Sequence, residues 1–139
     1  MIRVVYDTNV ILSGFLWRGN EWQCMMKVEE GEVILFLNKE IISEIYEVAR
    51  REKLARLIKK AKFTPEELLR KITSMGEIVD ITKKIDVLIE DIEDKKFIEC
   101  AIAAQAHYIV SGDSHLLKLK RFEEIEIIGA KEFLSRIKK

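Results

Sequence analysis

Short apolar runs alternate with longer stretches of helical periodicity from one end of the chain to the other. That is the mark of repeated strand–helix units. Residues 2–6 read as the first strand, and the apolar pattern resumes at Val10, Ile11 and Leu12 after the polar Asp7-Thr8-Asn9. Glu21 to Glu30 predicts a helix that Gly31 stops. Val33 to Leu37 is apolar without interruption, as a strand covered on both faces should be. Asn38 then caps a helix running to about Arg51, with Ile41, Ile42, Ile45, Val48 and Ala49 as its apolar stripe. Glu44 lies beside that stripe, whereas Glu40 and Glu47 point further out.

Leu54 to Ala61 predicts a further short helix. Thr64 before Pro65, with Glu66 and Glu67 following, is a strong helix start, and that helix should end at Gly76. Ile78 to Ile81 reads as a third strand and residues 83–94 as a polar loop. Lys95 to Ala106 is a helix with small and apolar residues almost all round, so it should be buried. Tyr108 to Val110 is a fourth strand, Ser111 to Ser114 a turn, and Leu116-Leu117 begins a short helix. Ile125 to Ile128 is a fifth strand and Ala130 to Ile137 a closing helix. No repeat or linker interrupts the 139 residues, which points to one domain over 1–139.

Composition narrows the class. With 48% hydrophobic and 35% charged residues, and no apolar run long enough to span a bilayer, the chain reads as a globular cytoplasmic protein. Cys24 and Cys100 stand apart among apolar neighbours, so both are expected reduced and structural. The net charge of zero argues against a dedicated duplex-DNA binder. Local clusters remain: Arg50 to Lys62 is basic, and Glu90, Asp91, Glu93 and Asp94 are acidic.

The chemistry lies in acids that the topology should gather. The first strand ends in Asp7 and the fourth leads through Ser111-Gly112 into Asp113. In a parallel sheet both lie at the carboxyl edge, where open α/β sheets bind ligands. Asp94 stands just before the buried helix that leads into the fourth strand, which a right-handed crossover starts at the same edge. Glu44 can reach that edge from the helix after the second strand. Carboxylates about 4 Å apart repel by roughly 4 kcal/mol at an effective dielectric near 20. Oxygen-only ligands of this kind suit Mg²⁺ or Mn²⁺. Singly, each acid also has a plain reading: Asp7 as a turn residue, Asp94 and Asp113 as helix caps, and Glu44 as one more exposed glutamate.

Together, Asp7-Thr8-Asn9, Glu44, Asp94 placed three residues before Phe97, and Ser111-Gly112-Asp113-Ser114-His115-Leu116-Leu117 resemble the PIN-domain family. The nearest likeness is to single-domain prokaryotic members of the toxin–antitoxin type. The resemblance implies a three-layer α/β/α sandwich around a central parallel sheet, here of five strands. It also implies a metal-dependent endoribonuclease with an antitoxin partner and a homodimeric state. Asp7, Asp94 and Asp113 match the family's metal-site aspartates, Glu44 its further catalytic acid, and Asn9 and Ser111 its supporting polar residues. His115 stands where many members carry another aspartate, and Asp91 is a register rival to Asp94. Arg18 and His115 are candidate RNA contacts. A different class of reading is a PIN-like module that binds RNA or protein without cleaving. A phosphoacceptor domain fits worse, because it needs an acidic pair after the first strand.

Overall fold

In the computed structural model, which describes residues 1–80 and 94–138, the apolar runs assemble into a sheet of six strands. They are β1 (Ile2–Tyr6), β2 (Val33–Leu37), β3 (Glu77–Ile78), β4 (Tyr108–Val110), β5 (Arg121–Phe122) and β6 (Ile125–Ile128). The spatial order is β3-β2-β1-β4-β6-β5, and every neighbouring pair is parallel except β5 with β6. The chain therefore starts in the middle of the sheet, winds outwards one way through β2 and β3, then crosses back to β4 and winds the other way. The reversal between β1 and β4 is a switch point, where the connections leave in opposite directions and a crevice opens at the strand ends.

The helices are α1 (Thr8–Leu16), α2 (Asn20–Glu29), α3 (Lys39–Ala49), α4 (Glu52–Lys60), α5 (Pro65–Met75), α6 (Lys95–Ala104), α7 (Ser114–Leu119) and α8 (Ala130–Ile137). Tyr6 locates one outer layer: its hydroxyl donates to the Cys24 carbonyl of α2 at 2.8 Å, and its ring meets Phe133 of α8 edge-on at 5.9 Å. Successive strand residues face opposite ways, so Val5 looks to the other side. The right-handed crossover puts α6 there, and α6 packs against β1, β2 and β4. Val4, Val5 and Tyr6 are all fully buried, as a strand covered on both faces requires. The fold is thus the expected α/β sandwich with a mostly parallel sheet.

Several boundaries differ from the sequence reading. The largest difference is α1, a helix through the apolar Val10-Ile11-Leu12 that the sequence pattern does not predict. Val10, Ile11, Leu12 and Gly14 are all buried, so this helix has no polar face to reveal its period. The sixth strand, β5, is two residues long with exposed Arg121, too short to leave a pattern. The third strand is seen as Glu77–Ile78, and the remainder of the 83–94 loop before Asp94, including Asp91, lies outside the described residues. The helix α6 ends at Ala104, where Gln105 turns left-handed at φ 52°. Cys24 and Cys100 are buried free thiols whose pKa burial pushes up to about 12. No helix among the described residues is long and apolar enough to cross a membrane.

The α1–α2 hairpin is closed by a contact only glycine permits. A Cβ on Gly14 would lie 2.5 Å from Met25 Cγ and 2.6 Å from the Glu21 carbonyl oxygen. One of those atoms is backbone, so the helices themselves would have to separate. Overpacking of this kind costs about 1–3 kcal/mol. Gly14→Ala should lower the unfolding free energy by about 1–3 kcal/mol, read as a fall in urea midpoint with little change in slope; an unchanged midpoint would show that the hairpin adjusts freely.

Candidate functional site

The carboxyl edge of the sheet opens into a cleft of about 580 Å³, whose walls include Asp7, Glu44, Asp94 and Asp113. Four separate elements deliver them. Asp7 follows β1 and is the N-cap of α1, its Oδ1 accepting from the Val10 amide at 2.8 Å. Asp113 follows β4 and caps α7, accepting from the His115 amide at 3.3 Å. Asp94 is the residue before α6. Glu44 lies within α3, whose start is fixed by Asn38: the Asn38 carboxamide oxygen accepts from the Ile41 amide at 2.9 Å. Its amide group donates to the Lys96 carbonyl at 3.1 Å, which ties α3 to α6.

Asp7 is only 4% exposed. Its Oδ2 accepts from the Ser111 hydroxyl and from the Gly112 amide at 3.3 Å. Ser111 Oγ in turn accepts from the Asp113 amide at 2.9 Å. One buried hydroxyl thus links the two strand-end aspartates. Burial pushes the Asp7 carboxyl pKa above its ordinary value; the Ser111 hydroxyl and the Val10 and Gly112 amides pull it back, and the Asp113 charge pushes it up again. Hydrogen bonds to the ionised form oppose desolvation here.

Glu44 is held differently. Thr8, buried in the first turn of α1, donates its hydroxyl to Glu44 Oε1. The Lys96 ammonium lies 2.8 Å from Oε2, with the Lys96 side chain 9% exposed. Sequence reasoning did not single out Thr8 or Lys96. Lys96 had a signal, since it is a cation inside a helix expected to be buried, but its partner is 52 residues away.

Asp94, Asp113 and His115 each offer a ligand atom within 4.8 Å of the other two. Carboxylate oxygens and an imidazole nitrogen are the donors a divalent cation takes, so the residues present fit a metal at this edge. Asn9 is exposed at the rim of the cleft, and Ser111, Thr8, Lys96 and backbone amides donate to the acids. Arg51, from the basic stretch, reaches the cleft wall, while its guanidinium pairs with Glu47 at 3.4 Å. Arg18 does not line the cleft; it stacks over Trp22 at 4.8 Å. His107 is structural, its Nδ1 accepting from the Arg3 amide at 3.0 Å.

The Ser111 bridge makes a pH-dependent prediction for the metal-free protein. Because the folded pKa of Asp7 is raised, its ionisation costs stability. That cost is absent below the unfolded value of about 3.9 and complete above the folded value. Removing the hydroxyl withdraws a donor to the ionised form. Ser111→Ala should therefore cost about 1–3 kcal/mol near neutral pH, and less near pH 4. Denaturation in chelator at both pH values checks this, and an equal deficit at both would rule out a charge-supporting role for the hydroxyl.

Comparison with known proteins agrees with this architecture. No curated protein matches the chain. Among solved structures, VapBC2 from Rickettsia felis, bound to a DNA fragment from its promoter, superposes with a TM-score of 0.61 at 15% identity, covering 91% of this chain and 97% of that one. The PIN domain of RRP44 from T. brucei gives a TM-score of 0.47 at 14% identity, covering 97% and 80%. The sequence profile described as PIN domain matches residues 3–115, from β1 through the first residues of α7. That match takes in all the acids of the cleft, and the chain belongs to the PIN domain family.

Proposed function

We propose that the protein is a metal-dependent endoribonuclease, the toxin of a toxin–antitoxin pair. The observation that carries the reading is the convergence of Asp7, Glu44, Asp94 and Asp113, from four elements, on one cleft at the switch point of a PIN-family sheet. A divalent ion, Mg²⁺ or Mn²⁺, bound there supplies an activated water and charge stabilisation at the scissile phosphate. Asp7, Asp94 and Asp113, which all line the cleft, would hold it.

The protein's own groups divide the remaining work. Ser111 fixes the spacing of Asp7 and Asp113. Glu44 is the general base, held in place by the Thr8 hydroxyl and the Lys96 ammonium. Arg51 at the wall steadies the nucleic-acid backbone without reading bases. Antitoxin binding would act by filling this cleft with a basic side chain. Self-association into a homodimer belongs to the same reading.

Cleavage of a single-stranded RNA oligonucleotide tests it. The wild type should cut in MgCl₂ or MnCl₂ and stop in chelator. Asp94→Asn should remove cutting, and Glu44→Gln should lower kcat by on the order of 10²-fold or more. Equal cutting by wild type and Asp94→Asn would expose a contaminating nuclease and sink the assignment. RNA binding without cutting, indifferent to metal, would leave a binding module instead.

A further inference from the structure

The donor set at the mouth of the cleft is not made of oxygen alone. Asp94 and Asp113 share their 4.8 Å neighbourhood with the imidazole of His115. Two donors on opposite sides of an ion with bonds of about 2.1 Å lie roughly 4.2 Å apart. A spread no wider than 4.8 Å is therefore closed by small side-chain rotations. The three residues come from two elements well separated in sequence: Asp94 from the start of α6, and Asp113 and His115 from the start of α7. A simple surface pair of Asp113 and His115, whose Oδ1 and Nδ1 are 3.9 Å apart, would not need Asp94 beside it.

The burial is graded in the way a loading site requires. Asp94 is buried, Asp113 is intermediate and His115 is exposed. The imidazole, 46% exposed, can swing inwards at little desolvation cost, while the buried Asp94 is already in place. The capping bond from the His115 amide to Asp113 keeps the two α7 ligands in register on the first turn.

We infer that His115 is a direct ligand of the site's metal ion and biases it away from Mg²⁺ towards Mn²⁺ and Co²⁺. This rests on the metal-dependent reading above and names its ion more closely. Mg²⁺ is a hard ion that takes oxygen and keeps its waters, whereas an imidazole nitrogen gains affinity along the series from Mn²⁺ to Co²⁺ and beyond. The nitrogen thus tilts an otherwise hard site. His115→Asp converts the set to all-oxygen and reverses the tilt.

Calorimetric titration with MgCl₂, MnCl₂ and CoCl₂, together with electron spin-echo spectroscopy of bound Mn²⁺, tests this without using activity. The wild type should show nitrogen modulation on Mn²⁺ and prefer Co²⁺ to Mg²⁺. His115→Ala should lose the modulation and weaken Co²⁺ by about tenfold or more while leaving Mg²⁺ nearly unchanged. His115→Asp should favour Mg²⁺ relative to the wild type. Mn²⁺ binding that is lost in Asp94→Asn yet shows no nitrogen, with the same metal preference in His115→Ala, would overturn the role of His115 and leave the nuclease reading intact. Failure of all three ions to bind the wild type would overturn both.

Discussion

A carboxylate at the end of the central strand is the constraint around which this protein is arranged. Asp7 follows three fully buried residues and is itself almost inaccessible, a placement in which an unsupported charge would be too costly to keep. The fold answers with three donors, the Val10 and Gly112 amides and the Ser111 hydroxyl. Two of these come from the turn after β4, which can supply them only because β4 lies next to β1 in parallel register, Val110 opposite Tyr6. The strand order, the turn sequence Ser111-Gly112-Asp113 and the ionisation of Asp7 are thus a single problem with a single solution. Shifting β4 by one residue would remove the donors and turn Asp113 away together.

Glu44 and Lys96 form the second support, and it works between layers rather than along the edge. Their contact at 2.8 Å joins α3 to α6 where Asn38 already bonds the Lys96 carbonyl. A mostly buried ion pair adds little net stability. Its value lies in placement: Glu44 reaches the acid cleft, while Lys96 lines a second depression beside α3 with Glu40 and Ser43. Removing either partner would leave the other charged and enclosed.

Much of this was legible in the chain, and the exceptions share a cause. Asn38, Thr64 with Pro65, and Gly31 marked element ends because capping and left-handed turns are local chemistry. The strands that are apolar throughout announced themselves by composition. The helix α1 did not, because its residues are buried on nearly every side and carry no polar period, while its cap, Asp7, also serves the cleft. The acids could be assigned to one edge from the carboxyl ends of parallel strands and crossover handedness. Thr8 and Lys96 could not be, because their importance comes from Glu44, and a pairing across 36 or 52 residues has no trace in local pattern. Arg18 stands outside the lining of the cleft, and the ring it stacks on, Trp22, is its own neighbour in the fold.

The antiparallel strand β5 has a consequence for how the molecule can meet others. It covers the free side of β6 with only two residues, and Arg121 at its start pairs with Glu126 across the strand boundary at 3.5 Å. A row of open amides on β6 would invite a foreign strand to continue the sheet; a stub this short, opening on a charge, offers almost no backbone to copy. On that flank the sheet is finished, and a visiting protein has to be recognised by its side chains.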